Sequence, residues 1–184
     1  ALLFTGGNNC KLIRESLQRE KINFTDIVTK NESRDAAIII DESAKKVYSF
    51  FRTDSEIFSS EVDNFILKMK KMIATCEAVV FSGSSPCRET DRIFVEGIIL
   101  ANELDKISVC DTYGKHLGKC LEASPTIIHN NSDEIRSSLN TNLVDENEYL
   151  LLLDSFYTSG IKQTFITDAE NPFYASNFDF HYMN

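Results

Sequence analysis

The apolar run Ala78-Val79-Val80-Phe81 stops at Ser82-Gly83-Ser84-Ser85-Pro86, and a helical stretch from Asp91 to Leu104 follows. A buried strand feeding a glycine-and-serine turn and then a helix is the unit from which open α/β sheets are wound. At such a turn backbone N–H groups and a hydroxyl face outward. A Gly-Ser-Pro cluster by itself is an ordinary turn; the constraint comes from its repetition. Ile107-Ser108-Val109-Cys110-Asp111 is a second short strand, ending in Asp111-Thr112-Tyr113-Gly114. Thr126-Ile127-Ile128-His129-Asn130 leads into Asn131-Ser132-Asp133-Glu134-Ile135, and Gln163-Thr164-Phe165-Ile166 ends in Thr167-Asp168-Ala169. Each strand ends on a polar group and hands over to a helix or loop, which is where an open parallel sheet binds its ligand. From Cys76 to Gln163 strand and helix alternate, so right-handed crossovers and a parallel sheet covered on both faces are expected. Residues 145–158 form one such helix, with Tyr149, Leu152, Leu153 and Phe156 turned inward.

The N-terminal third reads differently. Phe4-Thr5-Gly6-Gly7 closes a first strand, and Asn8 or Asn9 is placed to cap a helix through Glu20 with Leu12, Ile13 and Leu17 on one face. Phe24 to Val28, Ala36 to Ile40 and Val47 to Phe51 read as three strands, and the turn Asp41-Glu42-Ser43-Ala44 joins the last two into a hairpin. Short strands with no helix between them, inside an alternating chain, predict a β flap over residues 24–52. After Ser59-Ser60, Val62, Phe65, Ile66, Met69 and Ile73 fall at helical spacing. Lys68, Lys70 and Lys71 there read as the solvated face of that helix and not as a phosphate patch. With no repeat, linker or low-complexity tract, residues 1–184 are expected to form a single domain.

A net charge of -9 argues against nucleic-acid binding, which needs a basic face. An anionic small substrate is compatible with it, because phosphate binding needs only a few local donors. Five Cys with no C-x-x-C spacing, no signal peptide and no long apolar run point to reduced thiols in a cytoplasmic protein without a membrane span. Only three His are present and none sits near a Cys pair, which makes zinc improbable. Ala1-Leu2-Leu3-Phe4 reads as an internal strand, and Asn184 follows the strand-like Phe178 to Tyr182 with no closing element, so both ends are expected to be cut.

The order and spacing of the strand-end motifs resemble the ribokinase-like sugar kinases of the phosphofructokinase B family, nearest the 1-phosphofructokinase and tagatose-6-phosphate kinase branch. That family's Gly-Ser-Leu-Pro is Gly83-Ser84-Ser85-Pro86 here, and its Asp-Thr-Ser-Gly is Asp111-Thr112-Tyr113-Gly114. Its Lys-Pro-Asn-x-x-Glu is His129-Asn130-Asn131-Ser132-Asp133-Glu134, and its Thr-Arg pair is Ser33-Arg34. The resemblance covers nearly the whole chain but only the middle of such a kinase. It implies a three-layer α/β/α fold with a mostly parallel sheet and a small β flap serving as a lid over the sugar site. It also implies ATP-dependent phosphoryl transfer, with Mg²⁺, to a phosphorylated ketohexose such as fructose 1-phosphate or tagatose 6-phosphate. The flap could pair with a second copy to form a homodimer.

Phosphoryl transfer requires donors on the phosphates, a metal and a base on the acceptor hydroxyl. Arg34, at the start of the flap, could grip a substrate phosphate in a fork, matching the family's substrate-binding arginine; alternatively it is a surface arginine paired with Asp35 or Glu32. Ser84 could bond the sugar or its phosphate, or serve only its own turn. Asn131 and Glu134 share one face of a helix's first turn. There they could order the nucleotide phosphates, with Glu134 holding Mg²⁺ through water, and the same spacing also suits a capping box. The resemblance assigns Thr167 to the nucleotide.

The chain departs from the pattern at His129 for Lys, Asn130 for Pro, Ala169 and Pro172 for Gly, Cys10 for Gly, and Ala36 for Asn. A left-handed backbone at Ala169 would cost roughly 1–2 kcal/mol. The Gly-Ala-Gly-Asp segment that carries the family's anion hole and catalytic Asp, and its N-terminal sugar-binding Gly-Gly segment, have no counterpart here, so no catalytic base is identifiable and it is expected outside these residues. A non-catalytic homologue, serving as a sugar-phosphate-binding or regulatory module, is the alternative those departures leave open.

Overall fold

The computed structural model describes residues 1–169, 173–177 and 180–183. The chain divides into two units, Ala1–Leu67 with Pro86–Thr90 and Lys68–Ser85 with Asp91–Asn184. In the first, strand β1 (Leu2–Gly6) crosses through helix α1 (Asn9–Arg19) to β2 (Thr25–Thr29), which pairs with it in parallel, Phe4 opposite Ile27. The cap expected at Asn8 or Asn9 is not made. Asn8 already has helical backbone angles and its side chain caps nothing, while Asn9 Nδ2 donates to Ser33 O at 2.9 Å. Leu12, expected on the covered face with Ile13 and Leu17, is exposed, whereas those two are half-buried. Asp26 accepts from the Thr5 hydroxyl and from Arg14. The Thr5 hydrogen bond, followed by the guanidinium, holds its carboxyl below the ordinary value.

Strands β3 (Ala36–Asp41) and β4 (Lys46–Phe51) form an antiparallel hairpin, closed by Asp41 Oδ1 accepting from Ser43 Oγ and Ala44 N. Of the three strands expected between residues 24 and 52, these two make the hairpin, and β2 belongs with β1. Helix α2 (Ser59–Ile73) buries Val62, Ile66, Met69 and Ile73 as its spacing requires, and Phe65 packs on Phe4 with ring centroids 4.6 Å apart. Its solvated face includes Lys70, paired with Glu96 at 3.4 Å.

The second unit holds a six-stranded sheet. Strands β5 (Ala78–Ser82), β6 (Ile107–Asp111), β7 (Ile127–Asn131) and β8 (Gln163–Thr167) run parallel, side by side in chain order. β9 (Tyr174–Asn177) adds antiparallel to β8, and β10 (Phe180–Met183) antiparallel to β9. The connecting helices are α3 (Asp91–Glu103), α4 (Leu117–Glu122), α5 (Ser132–Leu139) and α6 (Glu146–Thr158). Tyr149, Leu153 and Phe156 of α6 are buried in one core with Leu117, Ile128, Ile135, Ile166 and Tyr174, and Leu152 packs against it in part. Gly97 of α3 is required by contact, since a Cβ there would lie 2.3 Å from the Phe81 ring.

A mostly parallel α/β sheet is what the alternation implied, and it is what the second unit holds. Cover on both sheet faces is not what the described residues show. Phe81, Cys110, Ile128 and Ile166 face the helices and are buried; on the other face Val80 is 62% exposed, and Ile107 and Phe165 are also open. Strand order explains the difference. A right-handed crossover from each strand to its next neighbour always passes over the same face, and helices reach the second face only where the order reverses. Among the described residues, no helix is long and apolar enough to cross a membrane.

Candidate functional site

Ser82, Asp111, Asn131 and Thr167 end the four parallel strands, so their side chains and the turns after them line the carboxyl edge of the sheet. The turn after β5 is pinned to β6: Gly83 N donates to Asp111 O at 3.1 Å, and Gly83 O accepts from Thr112 Oγ1 at 2.6 Å. Gly83 has φ +95°, a conformation glycine takes without strain, and Ser84 beside it is half-buried. Since Thr112 Oγ1 donates its proton to Gly83 O, it accepts from His116, whose Nε2 lies 2.8 Å away; His116 is therefore protonated on Nε2. Its Nδ1 faces Asp91 at 3.7 Å. Burial holds the imidazole below the usual histidine pKa, with Asp91 opposing.

At the ends of β5, β6 and β7 a polar line crosses the open face of the sheet. Ser82 Oγ donates to Asp111 Oδ2 at 3.2 Å, and Asp111 Oδ1 lies 3.2 Å from His129 Nδ1. The strand-end motifs contained all three residues, yet only the register brings them together; His129 had been notable only as a departure.

Asn131 and Glu134 meet as their spacing requires. Asn131 Oδ1 accepts from Glu134 N at 2.8 Å, and Glu134 Oε2 accepts from Asn131 N at 3.0 Å, a complete capping box opening α5. A helix N-terminus so capped is also a place where backbone N–H groups and the helix dipole favour an anion. Thr167 stands opposite Asn131 in the register, and its carbonyl accepts from Ser132 Oγ at 3.3 Å. Ala169 has φ +48°, the strained conformation foreseen for a residue in a glycine's place. Pro172 lies outside the described residues, as do Phe178, Asp179 and Asn184.

Arg34 belongs to the first unit. It pairs with Asp54 at 2.7 Å and stacks over the Phe51 ring at 4.9 Å. Its expected partners, Glu32 and Asp35, are taken by Arg52 at 3.3 and 3.4 Å. Arg52 and Asp54 went unremarked in the sequence because they fall just after β4, where no periodic signal marks them. Ser33 is bound to the turn after β1, with Ser33 N donating to Gly6 O and Gly6 N donating to Ser33 Oγ. A Cβ on Gly6 would lie 1.9 Å from Asn31 O, so glycine is needed for this approach. Ser84, Asn131, Glu134 and Thr167 all lie in the second unit, along one sheet edge.

No protein-family model matches the chain. A tagatose-6-phosphate kinase of Staphylococcus epidermidis is 24% identical over 145 residues, 78% of this chain and 46% of that protein. Among solved structures, a possible 1-phosphofructokinase from Thermotoga maritima superposes with a TM-score of 0.89 at 20% identity, covering 100% of this chain and 58% of that one. The tetrameric inhibited form of phosphofructokinase-2 from Escherichia coli gives 0.88 at 16% identity, covering 100% of this chain and 60% of that one. The chain thus spans roughly half the length of the proteins it matches. At these identities the structural likeness establishes the fold, which is ribokinase-like. The resemblance read from the strand-end motifs, to kinases of the phosphofructokinase B family, stands over the same stretch of chain.

Proposed function

We propose that the protein carrying this chain is an ATP-dependent sugar-phosphate kinase acting on a phosphorylated ketohexose, of the fructose 1-phosphate or tagatose 6-phosphate kind. The observation that carries the reading is the capped helix at Asn131 and Glu134, set at the carboxyl edge of a parallel sheet beside the Gly83–Ser84 turn. In this reading Asn131, Glu134 and Thr167 serve the nucleotide, while Ser84 and Arg34 serve the sugar phosphate. Arg34 would exchange Asp54 for the phosphate, to which its guanidinium offers a two-pronged donor.

Glu134 suits Mg²⁺ held through water. One carboxylate oxygen is committed to the cap, and among the described residues no cluster of three or more acidic, His or Cys groups could hold an ion directly. Bound there, the ion would neutralise charge on the migrating phosphoryl group. This chain's own residues bind and orient; the catalytic base lies outside them. The exposed apolar hairpin supports pairing with a second copy, since a two-stranded sheet apolar on both faces is marginal alone.

One group of observations favours a second reading, a non-catalytic sugar-phosphate-binding module. His129 and Asn130 stand where the resembled family has Lys and Pro, and Ala169 is strained where it has Gly. Glu134→Gln in the complete protein separates the two. Gln preserves an acceptor for the cap and removes the charge, so turnover should fall at least about tenfold, recover in part with added Mg²⁺, and leave thermal stability nearly unchanged. A rate unaltered across a range of Mg²⁺ removes the metal assignment, and an inactive wild type that still binds sugar phosphate favours the module.

A further inference from the structure

The turns after β5 and β7 are joined through the interior of the second unit. Buried Thr112 donates Oγ1 to Gly83 O at 2.6 Å, and its carbonyl accepts from Asn130 Nδ2, also at 2.6 Å. The same amide nitrogen reaches Glu134 Oε2 at 3.3 Å, the oxygen that closes the capping box on Asn131 N. A continuous hydrogen-bond path thus runs from Gly83, next to Ser84, through Thr112 and Asn130 to Glu134. His116 Nε2 fixes the Thr112 hydroxyl from behind.

Stability alone does not account for Asn130. Its side chain is buried, with 1% of the residue exposed, and among the described residues its Oδ1 has no partner, a desolvation penalty that an apolar residue of similar size would avoid. What Asn130 has, and a leucine or proline lacks, is an amide nitrogen with two protons, enough to hold Thr112 and Glu134 at once. We propose that Asn130 is a positioning residue coupling the two turns, so that sugar phosphate at the Ser84 turn tightens nucleotide binding at Asn131 and Glu134. The converse follows from thermodynamic reciprocity. The ligand half of this inference rests on the kinase reading; the mechanical half, that the two turns move together, does not. Protonating His116 leaves the path intact, because Nε2 donates in either charge state.

The experiment compares wild type with Asn130→Leu, Thr112→Val and Thr112→Ser in the complete protein, with two readouts. The first is amide hydrogen exchange without ligand: Asn130→Leu and Thr112→Val should speed exchange about tenfold at both ends of the path, at Gly83 and at Asn131 and Glu134, and Thr112→Ser should restore protection. The second is titration with Mg²⁺ and adenylyl imidodiphosphate, with and without tagatose 6-phosphate. In wild type the sugar phosphate should tighten the nucleotide about fivefold or more, a factor that falls toward one in Asn130→Leu and Thr112→Val and returns in Thr112→Ser. Exchange altered only near the substituted residue, with the coupling factor preserved, overturns the proposal. A wild type that binds neither ligand, while exchange still responds at both ends, overturns the ligand half together with the kinase reading and upholds the mechanical link.

Discussion

The β3–β4 hairpin and the helix-facing side of the six-stranded sheet are built from the same residue types and end in opposite states. Ile38, Ile39, Ile40, Val47, Tyr48, Phe50 and Phe51 are exposed on both faces of the hairpin, Ile40 at 68%, whereas Ile128 in the sheet is 1% exposed. Period-two alternation and Cβ branching announce a strand in both places, but cover is a property of what packs above it. In the sheet, three crossovers of one hand bring helices down on one face. In the hairpin a four-residue turn returns the chain upon itself, and among the described residues no element covers either face. Buried and exposed isoleucine therefore carry different meanings here: the first stabilises the sheet, and the second leaves apolar surface open on the hairpin.

Substitution sharpens that comparison, and the largest effect belongs to the sheet. Ile128→Ala should destabilise by about 2–5 kcal/mol, through lost burial and the cavity left behind, in a urea titration. Ile40→Ala should stay within about 0.5 kcal/mol in the same assay at dilute concentration, where no second copy covers it. Equal costs at the two sites would show that the hairpin is covered within the chain and would dissolve the contrast. At the carboxyl edge of the sheet, Ala169→Gly should stabilise by about 1 kcal/mol, because glycine takes the φ of +48° without the Cβ clash; a loss of stability would mean the strain is compensated locally.

Acid sensitivity distinguishes the two units by pH window. His116 titrates below its ordinary 6.5 when folded, mainly because it is buried, so the unfolded chain binds the extra proton more readily. Its contribution is complete above about pH 6.5 and is lost as the pH falls below it. Asp26, held below 3.8 by Thr5 and Arg14, contributes above that value and loses its share only at lower pH. Unfolding midpoints measured from pH 7 to 5 should therefore decline in wild type and decline less in His116→Gln, with Asp26→Asn leaving that slope unchanged. Parallel slopes in wild type and His116→Gln would remove the assignment.

The sheet was legible because its strands are short, apolar and each bounded by a polar turn, and α6 because Tyr149, Leu152, Leu153 and Phe156 repeat at helical spacing. The capping box was legible for the same reason: Asn131 and Glu134 are three residues apart, and a helix turn brings that spacing together. The Asn8 or Asn9 cap failed because Asn9 had a tertiary partner, Ser33 O, that local sequence cannot reveal. Arg34's partner was misread likewise: Glu32 and Asp35 are near in sequence, yet Asp54 arrives through the return of the hairpin. The link from Gly83 to Glu134 joins residues on three strand ends, and only the register exposes it.

Calorimetric titration of the complete protein tests most directly the proposal that the capped strand edge serves a nucleotide and that Arg34, just before the hairpin, serves a sugar phosphate. Mg-ATP and tagatose 6-phosphate should each bind with a Kd of about a millimolar or tighter, Glu134→Gln should weaken only Mg-ATP, and Arg34→Ala should weaken only the sugar phosphate by about tenfold, the loss of roughly 1.4 kcal/mol. Absence of heat for both ligands in the wild type, or binding that neither substitution alters, would contradict it.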